Sequence, residues 1–259
     1  MDQQQSVRWR MAMLSHVGRV RVRNEDYVCC SERLGLAVLT DGMGGHVGGA
    51  VASRLAAEAW MAYMQMVVAQ GAIDEGELRA AVAVANQSVF DEAQRDPFLR
   101  QMGTTLVGIC LPDSCDRLLA CHVGDSRIYR WRNDVLDCLT RDHSVLREQC
   151  DAGMIDPLAP GPVELRGLLT RAVGVAACVE ADVADFPLQD GDIYLLCSDG
   201  VTDMLPDTEI ADVLGALGGA PRLAAEHLID LANDRGGVDN VSVVIVSSRR
   251  AGRLGTELD

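Results

Sequence analysis

Four aspartates stand at the ends of apolar segments that have the length and composition of buried β-strands. Asp41, Asp125 and Asp199 each follow such a segment, and Asp239 directly precedes one. Glycine adjoins the first three, and glycine allows the backbone to approach a ligand closely. If these strand ends converge, four carboxylates meet at one place. Like charges at close range repel strongly unless a cation neutralises them.

Two interpretations of this pattern are open at this point. An Asp-Gly pair is common in ordinary turns, where it satisfies local backbone groups. Convergent carboxylates would instead form a site for a hard divalent cation, because oxygen ligands favour Mg²⁺ or Mn²⁺ over zinc. For any single pair, the sequence does not decide between a turn and a metal site.

The apolar pattern predicts strands and helices that occupy separate parts of the chain. Two stretches, at about 51–68 and 77–90, have the periodicity of helices. Strand-like runs follow between 104 and 139, and two further helices are predicted at 207–217 and 220–233. Because the strands cluster instead of alternating with helices, we expect an α+β fold with helices outside antiparallel sheets.

Composition excludes several classes of function. All 23 basic residues are arginine, so a Walker-type phosphate loop, a kinase-type ATP lysine and Schiff-base chemistry are excluded. A formal net charge of −15 argues against binding to nucleic acid or anionic membranes through bulk charge. The nine cysteines include no C-x-x-C pair, and no apolar signal or membrane-spanning segment is evident. We therefore expect reduced thiols and a soluble, cytoplasmic protein.

Several polar residues near the aspartates admit more than one role. Arg21 could clamp a phosphate group, or it could be one of three alternating surface arginines. His46 lies in a glycine-rich turn that lacks the G-x-G-x-x-G spacing of a dinucleotide site. The sequence Gly-Asp-Ser at 124–126 is similar to an esterase nucleophile motif, but no Asp-x-x-His pair follows near the C-terminus.

The order and spacing of short motifs resemble a bacterial PP2C-type (PPM) metal-dependent protein serine/threonine phosphatase, over about residues 7–247. The matching stretches are Gly18–Asp26, Asp41–His46, Gly103–Thr105, Gly124–Arg127, Leu139–Ser144, Leu169–Gly174, Gly191–Asp192 followed by Leu195–Gly200, and Asp239–Ser242. The resemblance implies a four-layer α/β/β/α sandwich with a central antiparallel β-sandwich. It also implies one phosphatase domain at 1–248, with a flap at about 145–167 and a frayed tail at 249–259.

The resemblance implies two Mn²⁺ or Mg²⁺ ions per site and allows a third, weaker ion. The implied ligands are Asp41, which would bridge both ions, the Gly42 carbonyl, Asp199, Asp239, Asp26 at the edge with Glu25, and Asp125, which with Asp199 would hold the third ion. Arg21 matches the phosphate-binding arginine of the family. Hydrolysis of phosphoserine and phosphothreonine would use a metal-activated water, without a phosphoenzyme.

One departure from the family pattern concerns the general acid. Many eukaryotic members have histidine where this chain has Met43, and methionine cannot donate a proton. His46 is the nearest candidate in this sequence, and water on a third ion is the alternative. The sequence does not choose between them.

Two other functions stay compatible with the sequence. A catalytically weak binding or sensing module would be marked by loss of ligand carboxylates, yet Asp41, Asp199 and Asp239 are all present. A phosphatase of small phosphoesters would differ only in its substrates. For the leading interpretation we expect phosphorylated proteins and a cognate Ser/Thr kinase as partners, with a secretion system as one hypothesis. We expect no nucleic acid or membrane partner, and a monomer by default.

Overall fold

The computed structural model describes residues 7–44, 48–71, 73–112, 116–156, 162–165 and 167–250. The strands in these ranges are β1 (Val7–His16), β2 (Asp26–Ser31), β3 (Leu36–Met43), β4 (Gly103–Thr104), β5 (Leu106–Cys110), β6 (Arg117–Val123), β7 (Arg127–Arg132), β8 (Val135–Cys138), β9 (Asp182–Pro187), β10 (Ile193–Cys197) and β11 (Val241–Arg250). The α-helices are α1 (Gly48–Gln70), α2 (Glu75–Arg95), α3 (Val145–Asp151), α4 (Asp199–Thr202), α5 (Asp207–Leu217) and α6 (Pro221–Asp234).

Two antiparallel sheets pack face to face at the centre of the fold. The strand order is β1-β11-β10-β7-β8 in the first sheet and β2-β3-β5-β6-β9 in the second, where β4 pairs with β3. The layer between the sheets is apolar and includes Trp9, Leu39, Ile109, Tyr194 and Val244, all buried. Removal of such side chains from water stabilises the sandwich by roughly 25 cal/mol per Å² of apolar surface.

Helices cover the outer face of each sheet. Side chains of α1 and α2 pack on the second sheet, and those of α5 and α6 pack on the first. Strand β10 shows why its sequence is a continuous apolar run. Tyr194 and Leu196 face the inter-sheet layer, whereas Leu195 and Cys197 face the helices, because successive side chains point to opposite faces. The expected four-layer α/β/β/α sandwich is confirmed.

Some element boundaries differ from the sequence expectations. Strand β2 was not among the predicted strands, and β3 continues through Met43, so that Asp41 and Gly42 lie within it. Strand β11 extends to Arg250 and pairs with Val7, two residues into the segment expected to fray. Residues 251–259 lie outside the described part, as do 157–161 and residue 166 of the expected flap.

The strand ends that carry the candidate site residues meet at one edge of the sandwich. Asp26 at the start of β2 is the register partner of Asp41 in β3. In the other sheet, Cys197 at the end of β10 pairs with Arg127 at the start of β7 and with Val243 near the start of β11. Both sheets thus present loops and polar residues at this edge.

Candidate metal centre

A cavity of about 740 Å³ opens at this edge, and the four strand-end aspartates line it together. Its lining includes Asp41, Asp125, Asp199 and Asp239, which come from both sheets and from four separate segments of the chain. Other lining residues are Arg21, Val22, Arg23, Glu25, Gly42, Met43, Gly44, Thr105, Gly167, Leu169 and Asn240. The strand ends therefore converge, which is the condition that the metal-site interpretation of the sequence requires.

Close backbone contacts explain why glycine follows two of these aspartates. A Cβ atom at Gly42 would lie 2.1 Å from the Gly49 carbonyl oxygen, and one at Gly200 would lie 2.0 Å from the Asn240 carbonyl oxygen. Such distances are far shorter than van der Waals contact. Any side chain at these positions would push apart the segments that carry the aspartates. Because Gly42 lies in β3 and Gly200 in α4, these Asp-Gly pairs serve close packing at the site and do not form turns.

Two threonines hold the backbone of Asp41 in place. The Thr104 hydroxyl donates to the Asp41 carbonyl oxygen at 2.8 Å, and Asp41 N–H donates to Thr105 Oγ1 at 2.9 Å. Thr105 Oγ1 also lies 2.7 Å from Ser126 Oγ, which is adjacent to Asp125. Thr105 therefore connects the backbone of one candidate ligand to the turn that carries another.

The electrostatics of the cavity strongly disfavour ionised carboxylates. Burial raises the pKa of Asp41 well above its usual value, and the charges of Asp26 and Asp199 raise it further. Burial likewise raises the pKa of Asp199, with the charges of Asp125 and Asp239 adding to the shift. A bound cation would offset both effects, because it replaces lost hydration and cancels the mutual repulsion.

Asp125 and Asp26 share this electrostatic character but differ in position. Burial raises the pKa of Asp125 to about 6, and the charge of Asp142 adds to the shift. Burial also raises the pKa of Asp26 to about 6, although it accepts a hydrogen bond from the Ser198 hydroxyl at 2.9 Å. Asp26 is only 8% exposed and is not part of the cavity lining, so it lies behind Asp41.

The donor atoms present fit a hard divalent cation. Asp199 Oδ1 and Asp26 Oδ1 are buried and have no hydrogen-bond partner among the described residues. A buried oxygen in this state costs free energy unless a ligand satisfies it. The four aspartates of the cavity present carboxylate oxygens, the ligand atoms that Mg²⁺ and Mn²⁺ prefer.

Arg21 lies at the rim of the cavity and pairs with a candidate ligand. Its Nη2 atom lies 2.6 Å from Asp239 Oδ2, and its side chain is 58% exposed. The hydrogen bond and the charge of Asp239 raise the pKa of Arg21, so the guanidinium stays charged. Glu25 lines the same cavity, whereas His46 lies outside the described residues and its position is not part of this geometry.

Two supporting residues were not singled out from the sequence. The Asn240 side chain accepts from Glu25 N–H at 2.8 Å and donates to the carbonyl oxygens of Val17 and Arg23, so it fastens the Arg21 loop to β11. Ser198 donates to Asp26 and accepts from Ser242 N–H. Both lie inside the quoted motifs, but only the fold reveals which atoms they contact.

Comparisons with known proteins agree with this geometry. A family model described as "Protein phosphatase 2C" matches residues 19–227. Serine/threonine phosphatase stp of Listeria welshimeri is 36% identical over 236 residues, which cover 88% of this chain and 92% of that protein.

Two solved structures are similar along almost the whole chain. The catalytic domain of serine/threonine protein phosphatase PstP, in complex with two manganese ions, has a TM-score of 0.82 and 34% identity, covering 94% of this chain and 100% of that one. PppA, described as a key regulatory component of T6SS in Pseudomonas aeruginosa, has a TM-score of 0.79 and 33% identity, covering 93% and 97%. The chain belongs to the protein phosphatase 2C family and is a metal-dependent protein serine/threonine phosphatase.

Proposed function

We propose that Asp41, the Gly42 carbonyl, Asp199 and Asp239 hold the two divalent cations at which this chain hydrolyses phosphoserine and phosphothreonine. The observation that carries the proposal is the buried, unpartnered Oδ1 atom of Asp199 in a cavity lined by three other aspartates. When bound, two such cations supply a nucleophilic water at neutral pH and screen the charge of the phosphoryl group. Mn²⁺ and Mg²⁺ are both compatible with these oxygen donors.

The residues of the chain would bind and orient the substrate. Arg21 is exposed at the rim and carries a planar guanidinium, which suits two parallel hydrogen bonds to phosphoryl oxygens. Its present partner, Asp239, is a proposed ligand, so Arg21 would exchange this contact for the phosphoryl group. Asp125 with Asp199 would hold a third, weaker ion, and Asp26 would act from behind Asp41. For the general acid, His46 and water on a third ion stay as alternatives.

The wider setting of the enzyme is also part of the proposal. We assign residues 1–248 to one phosphatase domain with a flap at about 145–167, acting as a monomer in the cytoplasm on targets of a cognate Ser/Thr kinase. The described ranges contain no helix with the length and apolarity to cross a bilayer. Similarity to PppA supports a link to a secretion system. Equal activity on unrelated phosphoproteins would argue against a dedicated kinase.

The experiment that tests the site is phosphate release from a phosphothreonine peptide as a function of Mn²⁺ and, separately, Mg²⁺ concentration. We expect metal-dependent release that EDTA abolishes and that falls by at least about 100-fold in Asp239→Ala. Glu58→Ala is the matched control, because it removes an exposed carboxylate on α1 that pairs with Arg54 and does not line the cavity. No release by folded protein at any metal concentration would contradict the proposal and favour a binding module. Faster hydrolysis of small phosphoesters than of phosphopeptides would favour the alternative of a small-phosphoester phosphatase.

A further inference from the structure

A second group of ionisable side chains lies behind the turn that carries Asp125. The rings of His122 and His143 stack with centroids 4.5 Å apart, and both residues are buried. One ligand-type atom from each of His122, His143 and Asp182 lies within 4.8 Å of the others. Asp182 also pairs with Arg171 at 2.8 Å. Proximity alone would allow a metal site or a hydrogen-bonded chain.

The hydrogen bonds of His143 define its tautomer. The backbone N–H of Gly124 donates to His143 Nδ1 at 3.2 Å, so Nδ1 must carry a lone pair. Burial lowers the pKa of His143, which favours the neutral ring. The single ring proton then resides on Nε2, which faces the Asp182 carboxylate with Oδ2 at 3.4 Å.

This tautomer is incompatible with a metal ion in the cluster. An ion bound at His143 Nε2 would need a lone pair there, and the proton would then move to Nδ1, directly opposite the N–H of Gly124. Arg171 Nη1 lies 3.3 Å from the same Nε2 atom. A guanidinium can only donate, so with the ring proton on Nε2 this contact is a proximity of charge, and Arg171 donates instead to Asp182 Oδ1 at 2.8 Å. His122 uses its Nε2 proton to donate to the Arg141 carbonyl oxygen at 2.9 Å. The contacts of the cluster thus fit a chain of polar groups that orients His143, and not a metal site.

His143 contacts both backbone polar groups of Gly124. Besides the ring contact, His143 N–H donates to the Gly124 carbonyl oxygen at 2.9 Å. Gly124 has a φ of +102°, a conformation open mainly to glycine, and it directly precedes Asp125. Next to His143, Asp142 accepts two hydrogen bonds from Arg127 at 2.9 and 2.7 Å. Residues 142 and 143 therefore brace both sides of the turn that carries Asp125.

We propose that His143 is a positioning residue of the phosphatase: its ring fixes the backbone of Gly124 and thereby the direction of the Asp125 carboxylate, while Asp182, held by Arg171, fixes the tautomer of the ring. This assignment rests on the proposed function for the part that concerns Asp125 as a ligand of a third ion. His143 also lies next to the two ends of the flap. Thr170 N–H donates to the His143 carbonyl oxygen at 2.9 Å, and Val145 N–H donates to the Leu168 carbonyl oxygen at 2.8 Å.

The first test is independent of catalysis. Nitrogen-15 NMR of the histidine rings in the metal-free full chain reports which nitrogen carries the proton. We expect His143 as the Nε2–H tautomer, with no change on addition of Zn²⁺. In Asp182→Ala we expect a mixture of tautomers. The control is Asp185→Ala, which removes another carboxylate of β9, one that pairs with Arg117 of β6, and it should leave the His143 signals unchanged. A proton on Nδ1, or Zn²⁺ binding to both histidine rings, would overturn the assignment.

The second test measures Mn²⁺ binding by titration calorimetry. We expect His143→Leu to weaken the weakest Mn²⁺-binding event about tenfold, a typical effect of residues that orient metal ligands. His143→Asn places an amide oxygen near the position of Nδ1, so it should restore most of that affinity. Asp182→Ala keeps the histidine and, because Asp182 is 46% exposed, tests the proposal even if His143→Leu does not fold. Equal loss in the Leu and Asn variants would contradict positioning through Gly124.

The two tests separate this inference from the proposed function. A wild-type chain that binds no Mn²⁺ and releases no phosphate would refute the proposed site, while the NMR tautomer would still support or refute the chain from Asp182 to Gly124. A wild-type chain that is active, with His143→Leu showing unchanged Mn²⁺ affinity and an unchanged kcat at saturating Mn²⁺, would refute the role of His143 alone.

Discussion

Asp199 shows at the scale of a single residue how the site opposes the stability of the metal-free fold. Its Oδ1 atom is buried without a partner among the described residues, and burial with neighbouring carboxylates raises its pKa. In the unfolded chain the same carboxyl group ionises near pH 4. As pH rises above this value the unfolded state ionises first, so the folded state loses stability relative to it.

We therefore expect the melting temperature of the protein in EDTA to fall as pH is raised from 5 to 8. Asp199→Asn removes one of the charges, so it should raise the melting temperature at pH 8 by about 3–6 °C, or ~1–2 kcal/mol, and flatten the pH dependence. Saturating Mn²⁺ should stabilise the wild type and not the variant. Differential scanning fluorimetry measures all three effects.

The control for this prediction is Asp137→Asn, since Asp137 is half-exposed and pairs with Arg130 away from the cavity. It should not raise stability at pH 8 and should retain the response to Mn²⁺. A lower melting temperature of metal-free Asp199→Asn than of metal-free wild type at pH 8 would contradict the prediction. The Asp199 carboxylate would then stabilise the fold even without a metal ion.

At the scale of the element, the short pairing of β4 with β3 fixes the direction of Asp41. Thr105 follows β4, is almost fully buried, and uses its hydroxyl to accept from Asp41 N–H and to contact Ser126. Thr105→Val keeps the shape but leaves these two polar groups unsatisfied. We expect a loss of about 1–3 kcal/mol in the free energy of unfolding, together with a raised Mn²⁺ concentration for half-maximal activity.

Ser248→Ala is the matched control for Thr105→Val. Ser248 is buried in β11 at the end away from the cavity, and its single hydroxyl proton is shared between the carbonyl oxygens of Gln189 and Asp192, each 3.1 Å away. Loss of this hydroxyl should lower the free energy of unfolding without changing the Mn²⁺ requirement. Chemical denaturation and a Mn²⁺ titration of activity, measured on both variants, separate the two roles; identical Mn²⁺ curves for Thr105→Val and wild type would contradict the prediction.

Sequence patterns predicted the central elements because both faces of the central strands are covered. Strands such as β10 read as continuous apolar runs for this reason. Strand β2 was missed, because it lies at a sheet edge and most of its residues are half-buried, so its apolar signal is weak. Helix α4 has only four residues, too few for any periodicity to show.

The candidate site also contains residues with a local sequence signal and contacts that only the fold creates. Asp41 and Asp199 were predictable, because each follows an apolar run in the sequence, which is a local signal. The contacts of Thr105 with Asp41 and of Asn240 with Glu25 join residues 64 and 215 positions apart. The first pair is created by strand pairing within the second sheet and the second by the approach of the two sheets, and a single sequence contains no record of either.

At the scale of the whole molecule, the net charge of −15 opposes the approach of an anionic phosphopeptide. The local field differs, because Arg21 and Arg23 line the cavity and bound cations would add positive charge there. Salt screens the long-range repulsion more than these short contacts, since the Debye length falls to about 10 Å at 0.1 M. Whether kcat/KM rises or falls with ionic strength should therefore show which effect controls binding of the substrate: repulsion by the net charge of the chain, or attraction by the positive charges at the cavity.

We expect kcat/KM for an acidic phosphothreonine peptide to rise about two- to fivefold between 20 and 200 mM NaCl at saturating Mn²⁺, because screening removes the repulsion. A peptide of the same length with lysines around the phosphothreonine should show the opposite trend, because screening weakens its attraction to the acidic surface. Steady-state kinetics on both peptides, with the Mn²⁺ titration repeated at each salt concentration, measures this directly. A fall in kcat/KM for the acidic peptide would mean that the arginines and cations at the cavity, and not the charge of the whole chain, govern its association.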